Sequence, residues 1–148
     1  MRVFIVDAHP EPQSFNSAMT REATHALRAA GHDVDISDLY AMGFNPVSDR
    51  RNFVTVHNPE YYRQQSEEAY AAAHEGFAPD IQAEMDKLFR CDVLILQFPL
   101  WWFGLPAILK GWIDRASPRA ANQSRDALLH RLHRDRALPR ACAGAHQR

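Results

Sequence analysis

Short apolar runs alternate along this chain with longer segments in which apolar or small residues recur every three or four positions. Val3-Phe4-Ile5-Val6 is continuous, as suits a strand buried on both faces of a parallel sheet. Ala18, Met19, Ala23, Ala26, Leu27 and Ala30 then keep helical spacing through Phe15 to Ala30, and Gly31 supplies the stop. Val34-Asp35-Ile36 reads as a second strand. Residues 1–36 are thus a βαβ unit, whose crossover should be right-handed. From Asp38 to Gly76 the pattern weakens. Asn45-Pro46 and Asn58-Pro59 mark turns, and Pro59 to His74 is expected to be helical, with Glu67, Glu68 and Glu75 on a solvated face. Pro79 opens a helix to Phe89, acidic at its start and followed by Arg90. Val93-Leu94-Ile95-Leu96 is the clearest strand, with Cys91 expected as an inert core thiol at its start. A last helix runs from Pro106 to Arg115.

Strands that alternate with helices predict an α/β doubly wound parallel sheet. Such sheets bind ligands at the carboxyl ends of their strands, where the strand order reverses. The loops at 7–14 and 97–104 both follow strands directly, so they should lie side by side on that edge.

Composition narrows the function classes. The chain has 148 residues and a net charge of -1, which argues against nucleic acid or an anionic membrane as the main partner. No apolar run approaches the ~20 residues of a membrane span, and the N-terminus lacks the pattern of a signal peptide. Two cysteines, Cys91 and Cys142, make no disulfide framework. We expect a cytoplasmic protein.

Charge is not evenly distributed. Residues 1–115 hold 10 basic and 16 acidic side chains, whereas residues 116–148 hold 7 and 2 and lack Val, Ile, Lys and aromatics. The latter stretch reads either as a solvated helix or as a disordered or out-of-frame extension. We therefore expect a domain at 1–115 and a separate Arg/Ala-rich tail at 116–148. His130 and His133 stand at a spacing open to metal, but no cysteine or acidic cluster completes a site, so no metal is expected.

Two loops carry the candidate chemistry. In His9-Pro10-Glu11-Pro12-Gln13-Ser14-Phe15-Asn16, Ser14 and Asn16 stand where a helix begins, and His9 adds a donor. Helix N-termini favour phosphate. The same residues would also make an ordinary N-cap beside a stray histidine, and neither G-x-G-x-x-G nor a Walker lysine is present. In Phe98-Pro99-Leu100-Trp101-Trp102-Phe103-Gly104-Leu105-Pro106, four aromatics fall within six residues. Such a patch marks a planar ligand, a dimer interface or core.

Together, H-P-x-x-x-S-F-N and Q-F-P-L-W-W-F-G-L-P-A-I-L-K-G-W-I-D-R closely resemble the NAD(P)H:quinone oxidoreductases, DT-diaphorase-like members of the flavodoxin-like fold. Leu39-Tyr40, Phe44-Asn45-Pro46 and Pro79-Asp80-Ile81 extend the resemblance across residues 1–115. It implies FAD, in preference to FMN, with His9, Ser14, Phe15 and Asn16 at the pyrophosphate and ribityl region. Pro99, Leu100, Trp101 and Trp102 would run along the isoalloxazine edge, and Trp102 and Phe103 would wall a pocket shared in turn by nicotinamide and quinone. A homodimer with flavin at the interface is implied, as is ping-pong hydride transfer from NAD(P)H to a quinone or related acceptor.

The chain also departs from that family. Three strands are legible, in the expected order 2-1-3, where the fold conventionally has five. Nothing in 116–148 matches the family's later flavin loop or the Tyr and His that assist hydride transfer, so no catalytic residue is carried over. The strand at 92–97 should be left as an open edge in the middle of the intended sheet. A tyrosine and glutamine stretch, Tyr61-Tyr62 and Gln64-Gln65, falls near a family flavin contact without deciding between the two glutamines. A non-catalytic ancillary or regulatory subunit, or an inactive truncated relative, is the competing reading.

Overall fold

The computed structural model describes residues 1–117. In chain order these form β1 (Arg2–Asp7), α1 (Phe15–Ala29), β2 (Asp33–Asp38), a single 3-10 turn (Arg50–Asn52), α2 (Gln64–His74), α3 (Pro79–Arg90), β3 (Val93–Gln97) and α4 (Ala107–Ala116). The expectations for residues 118–148, including Cys142 and the pair His130 and His133, lie outside the described residues.

The three strands make one parallel sheet in the order β2-β1-β3. Val3 aligns with Val34 and Val93, and Asp7 aligns with Asp38 and Gln97. β1 is central, and Val3, Phe4, Ile5 and Val6 are buried. Alternate side chains point to opposite faces. Phe4 and Val6 join Leu39, Ile81, Met85, Leu109 and Trp112 in the core cluster beneath α3 and α4. Phe4 meets Trp112 edge-to-face with ring centroids 5.9 Å apart. Each such fully buried side chain contributes about 1.5–3 kcal/mol.

The face that α1 turns to the sheet differs from the expected apolar stripe. Its buried residues are Ser17, Thr20 and Thr24, while Met19, Ala26 and Ala30 are exposed. Short side chains let the helix approach closely, and the Thr24 hydroxyl is satisfied by donating to the Thr20 carbonyl at 2.7 Å. The Ser14 hydroxyl caps the helix by accepting from the Ser17 amide at 3.1 Å. At the other end Gly31, with φ of 81°, allows the His32 amide to reach the Leu27 carbonyl.

Two buried polar clusters fasten the opposite layer. Glu84 accepts from Lys87 Nζ at 2.6 Å and from Trp112 Nε1 at 2.8 Å, and Lys87 also donates to Ser37. Buried Arg115 donates to Asn52 Oδ1 at 2.7 Å, to the Asn45 carbonyl at 2.6 Å and to Asp80, and its guanidinium lies 5.2 Å from the Phe44 ring centre. These contacts hold the irregular 44–52 segment against α4. Gly111 completes that junction, because a Cβ there would fall 2.2 Å from the Pro46 carbonyl oxygen.

Three local expectations are corrected. The helix expected from Pro59 starts only at Gln64, because the Asn58 side chain accepts from the amides of Glu60 and Tyr61 and turns the chain first. Glu67 and Glu68 are buried rather than solvated. Glu67 accepts from the amides of His57 at 2.7 Å and Asn58 at 3.1 Å, and Glu68 accepts from Gln64 at 2.9 Å. Cys91 is half-buried at the end of α3, two residues before β3, with its thiol donating to the Leu88 carbonyl. Among the described residues β3 is an edge strand, and Val93 and Leu94 are each 39% exposed.

Candidate functional site

Both singled-out loops emerge at the carboxyl end of the sheet, one after β1 and the other after β3. The Ala8 amide donates to the Gln97 carbonyl at 3.0 Å, continuing the ladder past the strand ends. Beyond it, Gln97 Nε2 donates to Asn16 Oδ1 at 2.8 Å across 81 residues of sequence. The His9 and Trp101 rings then approach to 6.4 Å between centroids, their planes tilted by 58°. The two loops therefore form one edge.

The first loop is a compact turn around Glu11. The Glu11 carboxylate accepts from the Gln13 amide at 2.8 Å, and the Glu11 carbonyl accepts from the Ser14 amide and the Ser17 hydroxyl, each at 3.1 Å. His9 Nδ1 stands 3.0 Å from the Glu11 amide nitrogen and 3.2 Å from the Glu11 carbonyl oxygen, so the loop's own backbone occupies that nitrogen. At the start of α1 the first intrahelical bond is Ala18 to Ser14, and the Ser17 amide is taken by the Ser14 side chain. The amides of Phe15 and Asn16 precede those bonds and remain available to a ligand. Phe15 itself is 80% exposed. Ser14 is engaged wholly in capping, since its own hydroxyl donates to Ser17 Oγ at 3.1 Å.

The second loop folds into a tight hairpin. Trp101 and Gly104 exchange backbone hydrogen bonds at 3.2 and 3.0 Å. Between them Trp102 and Phe103 take φ of 50° and 61°, the left-handed signs of a type I′ turn. Such turns favour Asn-Gly. A bulky L-residue in this region costs roughly 1–3 kcal/mol, and here neither ring recovers that through packing: Trp102 is 97% exposed and Phe103 fully exposed. Leu100, Trp101, Trp102 and Phe103 line an open hollow of about 720 Å³. Pro99, which precedes these residues in the chain, is half-buried.

Asp7, at the end of β1, was not singled out in the sequence, and Gln97 stood there only as the first residue of the second motif. Asp7 is buried, and its Oδ1 has no hydrogen-bond partner. Burial pushes its carboxyl above the usual range and neighbouring Asp38 adds to this, against the pull of the Thr20 hydroxyl, His9 and the Ala8 amide. The only sequence signal was a charge ending an apolar strand. Gln64 and Gln65 remain apart from these bonds: Gln64 binds Glu68 within α2, and Gln65 is exposed.

An anionic phosphate fits the first loop, which presents two helix-terminal amides beside an imidazole. A flat apolar ring fits the second, whose aromatic faces are open to it. Among the described residues, no group of three or more His, Cys, Asp or Glu side chains could hold a metal ion, and no helix is long and apolar enough to cross a membrane.

A family model for the flavodoxin-like fold matches residues 1–138. The chain belongs to this family. Within the flavodoxin-like family, it is 45% identical over 115 residues to NAD(P)H dehydrogenase [quinone] 1 of Cavia porcellus, covering 77% of this chain and 42% of that protein. It is 44% identical over 115 residues to human ribosyldihydronicotinamide dehydrogenase [quinone], covering 77% and 50%. An NAD(P)H:quinone oxidoreductase structure from Methanothermobacter marburgensis superposes with a TM-score of 0.65 at 31% identity, over 81% of this chain and 54% of that one. The chain thus spans about half the length of the relatives it matches.

Proposed function

We propose that this chain carries the cofactor-holding part of an FAD-dependent oxidoreductase that passes hydride from NAD(P)H to a quinone. The observation that carries this reading is the joined edge of the sheet: a phosphate-suited helix end tied by Asn16 and Gln97 to a strained, outward-facing aromatic hairpin. Names of relatives that include quinone-dependent NAD(P)H dehydrogenases support it.

In this reading the amides of Phe15 and Asn16 and the imidazole of His9 hold the pyrophosphate, and the α1 macrodipole favours its charge. Ser14 acts indirectly, by fixing the first turn. Backbone groups of Pro99, Leu100, Trp101 and Trp102 would meet the polar edge of the ring system. Trp102 and Phe103 would wall the pocket that nicotinamide and quinone occupy in turn, which makes the exchange ping-pong. The flavin supplies hydride acceptance and donation; the protein supplies orientation and charge stabilisation. Two aromatic side chains fully open to solvent also suit a homodimer in which a partner covers the hollow. Residues 1–115 would be the functional unit and 116–148 an appendage.

The test is anaerobic. The chain is loaded with FAD, reduced with NADH or NADPH, and then given a benzoquinone. Bleaching of the flavin band followed by its return on quinone addition supports the proposal. Retained flavin that neither nucleotide bleaches would favour the non-catalytic binding role instead.

A further inference from the structure

A carboxyl group is an unexpected neighbour for an anion site. Asp7 is 4% exposed at the carboxyl end of the central strand, and its Oδ1 is buried without a partner. In the sheet it is flanked by Asp38 and Gln97, and the nearby Thr20 hydroxyl of α1 favours its ionised form. Thr20 is one turn from Asn16, and its hydroxyl lies 3.5 Å from the Asn16 carbonyl. The charged and titratable groups that face Asp7 are Asp38 from β2 and His9 from the loop; α1 and β3 contribute the uncharged Thr20 and Gln97.

An ionised Asp7 and a phosphate at the start of α1 would be like charges at the same end of the sheet, and the burial of Asp7 leaves their repulsion weakly screened. Protonation removes that repulsion and turns the orphan oxygen's carboxyl into a possible donor. Resting on the flavin reading above, we propose that Asp7 couples cofactor binding to proton uptake, its carboxylate taking one proton from solvent as the phosphates dock at the start of α1. The burial that already disfavours the ionised form makes this uptake easier. The sign follows from linkage: a site that gains a proton on binding loses affinity as pH rises, by up to tenfold per pH unit while the group titrates.

Calorimetric titration of the full 148-residue chain with FAD, from pH 5 to pH 8 in buffers of different protonation enthalpy, tests this, with riboflavin as the phosphate-free probe. The expected result is an FAD Kd that rises with pH and a binding heat that scales with buffer enthalpy. Asp7→Asn should bind FAD more tightly at pH 8 and without slope, Asp7→Glu should keep the slope, and riboflavin should show none. An unchanged slope in Asp7→Asn would assign the proton to His9 and overturn the proposal; so would an equal slope with riboflavin, a comparison that stands even where Asp7→Asn fails to fold. A wild-type chain that binds FAD equally at every pH overturns this inference alone. A chain that binds no FAD at any pH overturns it together with the function proposed above.

Discussion

Replacing Trp102 and Phe103 together by Asn and Gly should make the protein more stable and cost it the cofactor. Both residues hold positive φ, at 50° and 61°, in a turn whose backbone bonds are already made. Asn-Gly is the pair that such a turn favours. Relief of the left-handed penalty contributes about 1–2 kcal/mol per residue, and the added chain entropy of glycine takes back about 0.5–1 kcal/mol. Exposures of 97% and 100% mean that almost no burial is lost with the rings. The net gain is about 1–3 kcal/mol, or roughly 4–12 °C in Tm for a chain of this size. Differential scanning calorimetry measures the gain, and equilibrium dialysis against FAD measures the loss, expected to be at least tenfold. A variant that melts no higher would refute the strain argument. A variant that melts higher and still binds FAD as before would refute the functional role of the aromatic pair.

Gly111→Ala should cost about 1–3 kcal/mol, since the new methyl meets the Pro46 carbonyl and ring at 2.2 and 2.4 Å; a urea midpoint equal to wild type would contradict the tight α4 junction. A double-mutant cycle of Asn16→Ala and Gln97→Ala should show a coupling of about 0.5–1.5 kcal/mol in stability, and strict additivity would mean that the two loops are not joined there. Glu67 gives a signed pH prediction. Burial pushes its carboxyl up, but the amides of His57 and Asn58 and the charge of Arg50 outweigh that and leave it below its usual 4.5. Its stabilisation is therefore present above the unfolded value and lost as pH falls through the folded one. Glu67→Gln should be destabilised at neutral pH, with the gap closing in acid; a gap independent of pH would contradict it.

The frame was legible because its signals are local. Apolar runs at Val3–Val6 and Val93–Leu96 became strands, and Ser14, Gly31 and Pro79 mark helix ends as their chemistry dictates. Where the reading failed, the deciding partner was distant or polar. Glu67 looks solvated until the amides of residues 57 and 58 fold over it, and α1 faces the sheet with threonines rather than the alanines that share its helical spacing. Adjacency of the two loops followed from strand order, but the bond that joins them spans 81 positions and leaves no periodic trace. Strain at Trp102 and Phe103 was likewise invisible, since residue identity records no φ.

These features share one consequence: the carboxyl edge is organised by capping, the Asn16–Gln97 bridge and a hairpin held against its own conformational preference, while the outer edge of β3 stands open among the described residues. An open edge is a pairing hazard, so affinity for a ligand or partner at this end also bears on solution behaviour.

The most direct measurement is the visible absorption spectrum of the purified 148-residue chain after incubation with FAD and desalting. The joined loops predict a retained flavin band in stoichiometric amount, reduced or absent in the Trp102→Asn/Phe103→Gly variant. A colourless wild-type protein would contradict the claim that this edge holds the cofactor.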